Sequence, residues 1–427
     1  MKQLKPMIAA VLALFSILGM SLTVQAQDST PVIAAVQNGS VVITGGGAST
    51  TVNNPANKGF LSLVWNPGGT KLAYILNDEQ FQARVAVVDA SGGDPVILNT
   101  GNLESGFPIN WTPDGQIVYV GSGDFSDTSK PYTVEIKRIA PEANATPESI
   151  GSFEMGTGCG GGSPFPADWE YWEDTGFGGN ALTLQWTDYG ILHSSVCAGG
   201  GLALYAPQGG QDTLLASDNF LQPTPDKPQQ QVSRAVLAND GKTLAAIRTT
   251  YAEPELQREL VLIDLSTREV KAVTTAAAPD QLAWSPGGNL FYSTLTKKSG
   301  LGENLSAEEK ANVEKVFGSS ELDIPSNEVS IHMLNPTTGE DKVIYTAPAY
   351  AIGRMTSSID GQSLFFSQIA NMDQWVEGIA KGTLDVLNDN DGTAQRAAVP
   401  VSLYRLPLAG GDPVVIADNL SQFRLKP

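Results

Sequence analysis

The stretch that decides the fold is residues 281–294, QLAWSPGGNLFYST, in which two apolar runs flank a Pro-Gly-Gly turn. Proline presets one backbone angle of a tight turn and glycine supplies the left-handed conformation, so this stretch favours a β-hairpin. The same pattern recurs in five other segments: 61–75 (LSLVWNPGGTKLAYI), 108–120 (PINWTPDGQIVYV), 182–194 (LTLQWTDYGILHS), 233–248 (SRAVLANDGKTLAAIR) and 353–367 (GRMTSSIDGQSLFFS).

A second kind of hairpin follows most of these copies. It occupies residues 85–98, 202–215, 260–273, 329–345 and 403–416. Two hairpins per unit make four strands, and a four-stranded unit that recurs about every fifty residues is typical of a propeller blade. The repeated tryptophan, or another large apolar residue, would fill the space between adjacent sheets.

The motif W-S-P-G-G and its relatives, followed by a D-x-x-G-G hairpin, resembles the repeat of the TolB-like or WD40-like (PD40) propeller family. The resemblance covers nearly all of the chain after its N-terminal segment. It implies an all-β β-propeller of four-stranded blades, and it implies protein–protein contact at the cell envelope. Propellers of this kind serve many functions, so the resemblance is more specific for architecture than for activity.

The two ends of the chain predict how the ring closes. Six copies are internal, residues 32–36, 40–44 and 49–52 could form three strands without a first one, and residues 420–425 (LSQFRL) could be that first strand. Closing the ring in this way removes exposed sheet edges. We therefore expect one propeller domain over residues 27–427 with seven blades, six being the alternative.

The N-terminus has the pattern of a secretory signal peptide. Lys2 and Lys5 precede an apolar stretch over residues 7–24, and Val24-Gln25-Ala26 offers small residues for cleavage. We expect residues 1–26 to be removed and the protein to be periplasmic or extracellular. The alternative is an uncleaved membrane anchor.

The charge of the chain excludes some partners. The net charge is −19, and removal of residues 1–26 would take away two lysines and no acid, giving −21. Such a surface repels nucleic acid and anionic lipid. We therefore expect no nucleic-acid partner. We also expect a monomer that has no membrane span once the signal peptide is cleaved.

The predicted connections differ between the two faces of the propeller. Turns between the first and second strands, and between the third and fourth, are short throughout. The long insertions all fall in the other connections, at residues 153–179, 297–327 and 371–400. Because loops on a rigid scaffold usually carry function, we expect the binding surface on the elaborated face.

The first insertion contains DWEYWEDTGFGG, residues 168–179, as a candidate ligand site. Aromatic rings beside carboxylates could stack a sugar or bind a peptide; alternatively, they pack the loop onto the propeller. The candidate residues are Trp169, Tyr171, Trp172, Glu173 and Asp174.

Two cysteines, Cys159 and Cys197, are the only ones in the chain. In an exported protein a pair of this kind usually forms one disulfide. We expect a bridge that pins the first insertion, with a structural role rather than a redox one.

The second insertion contains LSAEEKANVEKVFG, residues 305–318, which predicts a short helix. Ser306 and Glu309 have the spacing of a capping box, and Leu305, Val313, Val316 and Phe317 form one apolar face. We expect the helix to pack on the propeller, a partner-binding helix being the alternative.

The third insertion contains NDNDG, residues 388–392, whose alternating oxygen ligands resemble a calcium loop. The EF-hand spacing fails, because Leu387 and Ala398 occupy the first and last ligand positions, so an ordinary Asn/Asp/Gly turn is the alternative. The weak calcium candidates are Asp385, Asp389 and Asp391. No other cofactor is expected.

No catalytic constellation is evident. The two histidines, His193 and His332, fall on strands of different blades without supporting neighbours, and no G-x-S-x-G elbow occurs. The predicted first strands, which would line the central channel, are mostly apolar and carry no paired carboxylates. We expect a non-catalytic scaffold that binds a protein partner; the alternatives are a glycan-binding propeller and an enzyme acting on glycans or lactones.

Overall fold

The computed structural model describes residues 31–37, 40–52, 60–77, 82–104, 107–123, 132–154, 183–194, 201–206, 210–215, 229–252, 255–300, 305–317, 325–370, 381 and 401–427. In these ranges the chain forms seven four-stranded antiparallel sheets and one α-helix. Each sheet is one blade of a propeller, and the expectation of seven blades is confirmed.

In blades 2 to 4 the strands follow the order of the chain, whereas blade 1 begins with the last strand of the chain. Blade 1 contains β28 (Leu420–Leu425), β1 (Ile33–Gln37), β2 (Ser40–Gly45) and β3 (Ala48–Thr51). Blade 2 contains β4 (Phe60–Trp65), β5 (Lys71–Asn77), β6 (Ala83–Asp89) and β7 (Val96–Ile97). Blade 3 contains β8 (Asn110–Trp111), β9 (Ile117–Gly121), β10 (Thr133–Ile139) and β11 (Glu148–Glu154). Blade 4 contains β12 (Leu184–Thr187), β13 (Gly190–Ser194), β14 (Leu202–Ala206) and β15 (Gly210–Leu215).

Blades 5 to 7 follow in the same manner. Blade 5 contains β16 (Gln229–Leu237), β17 (Thr243–Ala252), β18 (Glu255–Asp264) and β19 (Val270–Val273). Blade 6 contains β20 (Leu282–Trp284), β21 (Leu290–Gly300), β22 (Pro325–Leu334) and β23 (Asp341–Pro348), with helix α1 (Ala307–Phe317) between β21 and β22. Blade 7 contains β24 (Ala351–Ser357), β25 (Ser363–Ile369), β26 (Val401–Pro407) and β27 (Val414–Asp418).

The ring closes where the two ends of the chain meet. Strand β28 pairs antiparallel with β1, from Ile33 opposite Leu425 to Gln37 opposite Leu420. The C-terminal strand thereby becomes the first strand of blade 1, as the sequence predicted, and the edge of β1 is covered.

The core lies between neighbouring blades. The second strand of four blades places a fully buried aromatic ring at the same height, namely Tyr74, Tyr119, Tyr292 and Phe366. These rings pack against apolar residues of the preceding blade; Tyr74 of blade 2, for example, lies in one cluster with Val36 of blade 1. Burial of large apolar surface between sheets is the main source of stability in such an arrangement.

The hairpin of β10 and β11 was not found in the sequence. Its eight-residue turn, residues 140–147 (APEANATP), contains no glycine, so it lacks the usual hairpin signature. As a result, the first insertion starts later than its predicted boundary of residue 153. Phe153 belongs to β11 and is buried against Phe107.

Helix α1 confirms the predicted capping box. The Ser306 backbone N–H donates to Glu309 Oε2 at 2.8 Å, and the Glu309 backbone N–H donates to Ser306 Oγ at 3.3 Å. The side chains of Val313, Val316 and Phe317, which were predicted to form the apolar face, lie outside what the structure describes.

The predicted signal peptide, residues 1–26, also lies outside the described ranges. Among the helical residues that are described, none belongs to a segment long and apolar enough to cross a bilayer.

Candidate functional site

The two faces of the propeller differ as predicted. Connections from a first to a second strand, and from a third to a fourth, contain at most eight residues, and they lie on what we call the plain face. Every longer connection joins strand ends at the opposite face, here called the long-connection face. The longest of these are residues 155–183, 301–324 and 370–400.

The site residues predicted in these connections lie outside the described residues. This group comprises Trp169, Tyr171, Trp172, Glu173, Asp174, Cys159, Cys197, Asp385, Asp389 and Asp391. The aromatic platform, the disulfide and the calcium loop therefore stay predictions.

Blades 5 and 6 extend towards the long-connection face. Strands β17 and β18 pair up to Ala252 opposite Glu255, and strands β21 and β22 pair up to Gly300 opposite Pro325. With 10 or 11 residues, these four strands are longer than any strand of blades 1 to 4. They raise two adjacent hairpins on this face of the propeller.

Ion pairs link the strands of these raised hairpins. Arg248 Nε lies 2.6 Å from Glu259 Oε1 in blade 5, and Lys298 Nζ lies 2.9 Å from Glu328 Oε1 in blade 6. The hairpins therefore present charged groups of both signs. Exposed pairs of this kind contribute little to stability.

A cavity of about 230 Å³ lies on the axis of the propeller, lined by residues of the first strands or just before them in all seven blades. These strands contact one another around the axis, as β28 does with β4 and β20 with β24. Six lining residues are equivalent, because each lies four residues before the turn of its own repeat. This set, which we call the channel ring, is Ser62, Pro108, Thr183, Arg234, Gln281 and Arg354.

Three arginines line this cavity. Arg234 comes from blade 5, Arg354 from blade 7 and Arg424 from blade 1, and all three are partly buried. The chain has ten arginines and a net charge of −19, so three in one small cavity is a marked concentration of positive charge. No Asp or Glu is among the described residues that line it.

The opposite side of the cavity is uncharged. Blades 2 to 4 contribute Ser62, Asn110, Thr183 and Gln185 together with apolar residues. The cavity therefore has a cationic half, from blades 5, 7 and 1, and a neutral polar half.

Gln281 of blade 6 lies between the arginines of blades 5 and 7. Its side chain is only 5% exposed, and its amide nitrogen has no hydrogen-bond acceptor among the residues that the structure describes. Its own backbone N–H donates to Ser293 Oγ at 3.1 Å. A buried donor without an acceptor is unusual in folded proteins and indicates a bound water or ligand.

One acidic residue, Asp280, precedes Gln281 and lies close to the cavity. Its Oδ1 is 2.9 Å from Arg258 Nη1, and the side chain is one-fifth exposed. Burial raises the pKa of Asp280, and the positive charges of Arg258 and Arg234 partly oppose that rise. Arg234 therefore belongs to a group of two cations and one acid.

The first strands, predicted to be mostly apolar, carry these arginines, which the prediction missed. Arg234 and Arg354 stand in the repeats SRAVLANDG and GRMTSSIDG, and Arg424 stands in LSQFRL. Aligning the copies on their turns would have placed Arg234 and Arg354 at one height. That alignment was the available signal.

The two histidines are structural in character. His193 is fully buried and stacks on Phe153 with ring centroids 4.0 Å apart. His332 was predicted to lack supporting neighbours, which is wrong: its Nδ1 lies 3.1 Å from Tyr292 Oη and 3.0 Å from Asp341 Oδ1.

The Tyr292 hydroxyl completes this network. It donates to Asp341, and it accepts the Ala276 backbone N–H at 3.1 Å. Because Ala276 follows blade 5, the network ties blade 5 to blade 6. Over the described part of the chain, no group of three His, Cys, Asp or Glu residues could hold a metal ion.

No family model and no curated protein matches the chain. Solved structures do match, and the three described below are 12% to 15% identical to this chain. The acylaminoacyl peptidase of Pyrococcus horikoshii is 12% identical, with a TM-score of 0.50, over 89% of this chain and 48% of that one. This chain thus spans about half the length of that peptidase.

Two further structures are similar. The β-propeller domain of the Trilobed protease from Pyrococcus furiosus is 12% identical over 91% of this chain and 93% of that one, with a TM-score of 0.48. TolB from Acinetobacter baumannii is 15% identical over 75% of this chain and 64% of that one, with a TM-score of 0.41. The match thus spans less than two thirds of TolB.

At this level of identity the comparisons bear on the fold alone. The repeats of the sequence and the seven four-stranded sheets of the structure agree with that likeness. The chain has the fold of a seven-bladed β-propeller.

Proposed function

We propose that this propeller is an exported, non-catalytic scaffold that binds a protein partner through its long-connection face. The observation that carries the proposal is the difference between the two faces. One face has only short connections, and the other has all the long ones together with the raised hairpins of blades 5 and 6.

A rigid ring that presents variable connections on one side is a common basis for recognition. All the long connections join strand ends of one face. A protein with a purely structural role would not need such a difference between its two faces. Charged pairs such as Arg248 with Glu259 suit the polar rim of a protein interface.

Catalysis is the principal alternative, since a peptidase and a protease domain share the fold. A shared fold does not transfer an activity. The chain has no G-x-S-x-G elbow, and the cavity on its axis is lined by arginines rather than by the paired carboxylates that glycoside hydrolysis uses.

The test is capture of a partner from the native envelope or secretome, using the mature chain and two variants. The first variant replaces residues 156–181 with a short Gly-Ser linker, which leaves Phe153 and strand β11 intact. The second, Ile359→Asp, changes a turn residue of the plain face that is 77% exposed. We expect one specific partner to be captured by the parent and by Ile359→Asp and to be lost with the linker variant.

A partner that is retained by the linker variant and lost with Ile359→Asp would place recognition on the plain face and refute the proposal. If the parent captures no partner, the protein-scaffold proposal fails. Glycan arrays with a Trp169→Ala/Trp172→Ala variant, and calcium titration, would then test the remaining predictions.

A further inference from the structure

The most exposed apolar side chains of the propeller are concentrated on blades 6 and 7. Among the described residues, the four large apolar side chains with the greatest exposure are Ile359 (77%), Val414 (55%), Val343 (50%) and Val415 (47%). On blades 1 to 5 no described large apolar residue is more than 38% exposed. Single exposed apolar residues are normal on a protein surface, whereas a group of them in one place marks an interaction site.

These four residues all lie at the plain face. Ile359 lies in the turn between β24 and β25. Val414 and Val415 are the first two residues of β27, and Val343 is the third residue of β23. Because β23 and β27 are the outermost strands of their blades and begin directly after plain-face turns, the three valines lie on the outer edge of that face.

Blades 6 and 7 are in contact at this face. A Cβ atom added at Gly361, in the turn that carries Ile359, would lie 3.6 Å from Pro286 Cδ of blade 6. Further out, Ile344 of β23 and Leu408, in the turn before β27, pack against one shared apolar cluster. The exposed residues therefore lie on one continuous surface. This surface, which we call the blade 6–7 corner, comprises Val343, Ile359, Val414 and Val415.

The two faces also differ in charge. The three longest connections of the long-connection face contain 15 acidic and four basic residues, which gives a net charge of −11 out of −19 for the whole chain. The blade 6–7 corner has charges of both signs instead. Glu340, Asp360 and Asp412 lie in its turns, while Lys342 precedes Val343 and Arg405 lies opposite Val414 in the strand pairing.

A second copy of this chain is the occupant that this charge distribution favours. Two copies with a net charge of −19 each repel one another, so they can associate only where the excess of negative charge is small. The blade 6–7 corner meets this condition and the long connections do not. In a twofold contact the same surface meets itself, so Lys342 of one copy can pair with an acid such as Asp412 of the other.

From these observations we propose that the protein forms a twofold-symmetric homodimer through the blade 6–7 corner. The two long-connection faces then point away from the contact, and a dimer presents two copies of the face that we propose binds a protein partner. The dimer itself does not depend on that partner. The sequence predicted a monomer, because the exposed apolar residues come from separate repeats and are brought together only by the packing of blades 6 and 7.

The test is the molar mass of the purified mature chain, measured by size-exclusion chromatography with light scattering at low and high salt. Over a range of about a hundredfold in concentration, we expect the mass to rise from that of one chain to that of two and then to stay constant. Added salt screens the repulsion between copies and should move this transition to lower concentration. A single-chain mass at every concentration and both salt levels would overturn the proposal, as would growth beyond two chains, which a closed twofold contact does not allow.

The matched variants are Val414→Asp in the blade 6–7 corner and Val96→Asp on blade 2. The same local sequence, Gly-Gly-Asp-Pro-Val, ends at Val96 and at Val414, and each of the two residues begins an outermost strand. Because the corner meets itself, Val414→Asp adds two acids to one contact and should raise the dissociation constant of the dimer about tenfold or more. Val96→Asp should leave it unchanged. Equal weakening by the two variants would indicate a general effect of added charge and refute the contact.

Two further variants locate the contact. Ile359→Asp, at the inner end of the corner, should weaken the dimer as Val414→Asp does, and it gives the same comparison if Val414→Asp does not fold. The variant with a Gly-Ser linker in place of residues 156–181 should dimerise like the parent. A dimer that is lost with the linker variant and kept in both corner variants would place the contact on the long-connection face and contradict the proposal. Circular dichroism checks that each variant is folded.

Discussion

At the scale of single residues, the tryptophan of the repeat joins neighbouring blades by a hydrogen bond. The indole N–H of Trp111 donates to the Val64 carbonyl oxygen at 3.1 Å, and that of Trp284 donates to the Val236 carbonyl oxygen at 3.0 Å. Where the ring closes, the Trp65 indole N–H likewise donates to the Arg424 carbonyl oxygen at 3.2 Å. Each acceptor is on the first strand of the preceding blade, so the tryptophan both fills space and satisfies a backbone group near the channel.

Replacing Trp111 with Phe should destabilise the protein. Trp111 is 5% exposed. Phe cannot donate a hydrogen bond to the Val64 carbonyl oxygen, and its smaller ring leaves part of the core unfilled. We expect the free energy of unfolding to fall by about 1–3 kcal/mol, measured by urea denaturation followed by circular dichroism.

Ile359→Ala is the control for this change, because Ile359 is 77% exposed and its substitution should alter stability by less than about 0.5 kcal/mol. Equal stabilities of Trp111→Phe and the parent would show that the indole hydrogen bond contributes nothing.

At the scale of elements, strand β28 determines whether the ring is closed. It supplies the first strand of blade 1, and it buries Phe423 fully while Gln422 is also enclosed. The Lys426 backbone N–H adds a bond to the Val32 carbonyl oxygen at 2.9 Å. Without β28, both β1 and the first strand of blade 2 would lose a neighbour.

A chain that ends at Asn419 should therefore be strongly destabilised. It loses the pairing with β1 and the burial of Phe423, and removal of one buried phenylalanine side chain alone costs about 3–5 kcal/mol. We expect a large fall in the denaturation midpoint and aggregation through the exposed edge of β1, measured by urea denaturation and size-exclusion chromatography.

A chain that ends at Leu425 is the matched control, since it keeps every residue pair of β28 with β1. It should lose at most about 1 kcal/mol through the Lys426 hydrogen bond. Similar behaviour of the two truncations would mean that β28 does not close the ring in solution.

The hairpins differ in how far the sequence predicts them. Most of those that were found have Pro-Gly-Gly, Asp-Gly or Gly-Gly turns, which fix the local backbone without help from the rest of the fold; the hairpin at residues 260–273 was found from its apolar strands alone. The hairpin of β10 and β11 was missed, since its eight-residue turn has no such residues and β11 (ESIGSFE) has only two large apolar side chains. Its place is decided by pairing with β9 and not by local preference.

At the scale of the whole molecule, buried tyrosines make stability depend on alkaline pH. Burial raises the pKa of Tyr345 and of Tyr350 to about 12. Burial also raises the pKa of Tyr119, Tyr132 and Tyr292 well above the ordinary value. An unfolded tyrosine has a pKa of about 10, so above that pH the unfolded chain binds fewer protons than the folded one.

The free energy of unfolding should consequently be insensitive to these groups below about pH 10 and fall as the pH rises towards about 12. Urea denaturation at about pH 8 and about pH 11 measures this fall. Tyr350→Phe should reduce it, because one of the shifted groups is removed. Equal losses in Tyr350→Phe and the parent would exclude Tyr350 as a contributor.

The sequence by itself determined the blades. Turn chemistry and apolar alternation act over about fifteen residues, so every hairpin except that of β10 and β11 could be found from its own segment, and the unpaired runs at 32–52 and 420–425 revealed the seventh blade and its closure. The capping box of Ser306 and Glu309 is local in the same way, and its two hydrogen bonds are present.

Only the tertiary structure decided what meets at the axis. Arg234, Arg354 and Arg424 are separated by 120 and 70 residues along the chain, and closure of the ring brings them to one cavity. The same holds for the network of Tyr292, His332 and Asp341, which depends on strand register within blade 6. A local pattern specifies the conformation of a segment, whereas a shared cavity depends on where distant segments are placed by packing, and no single repeat contains that information.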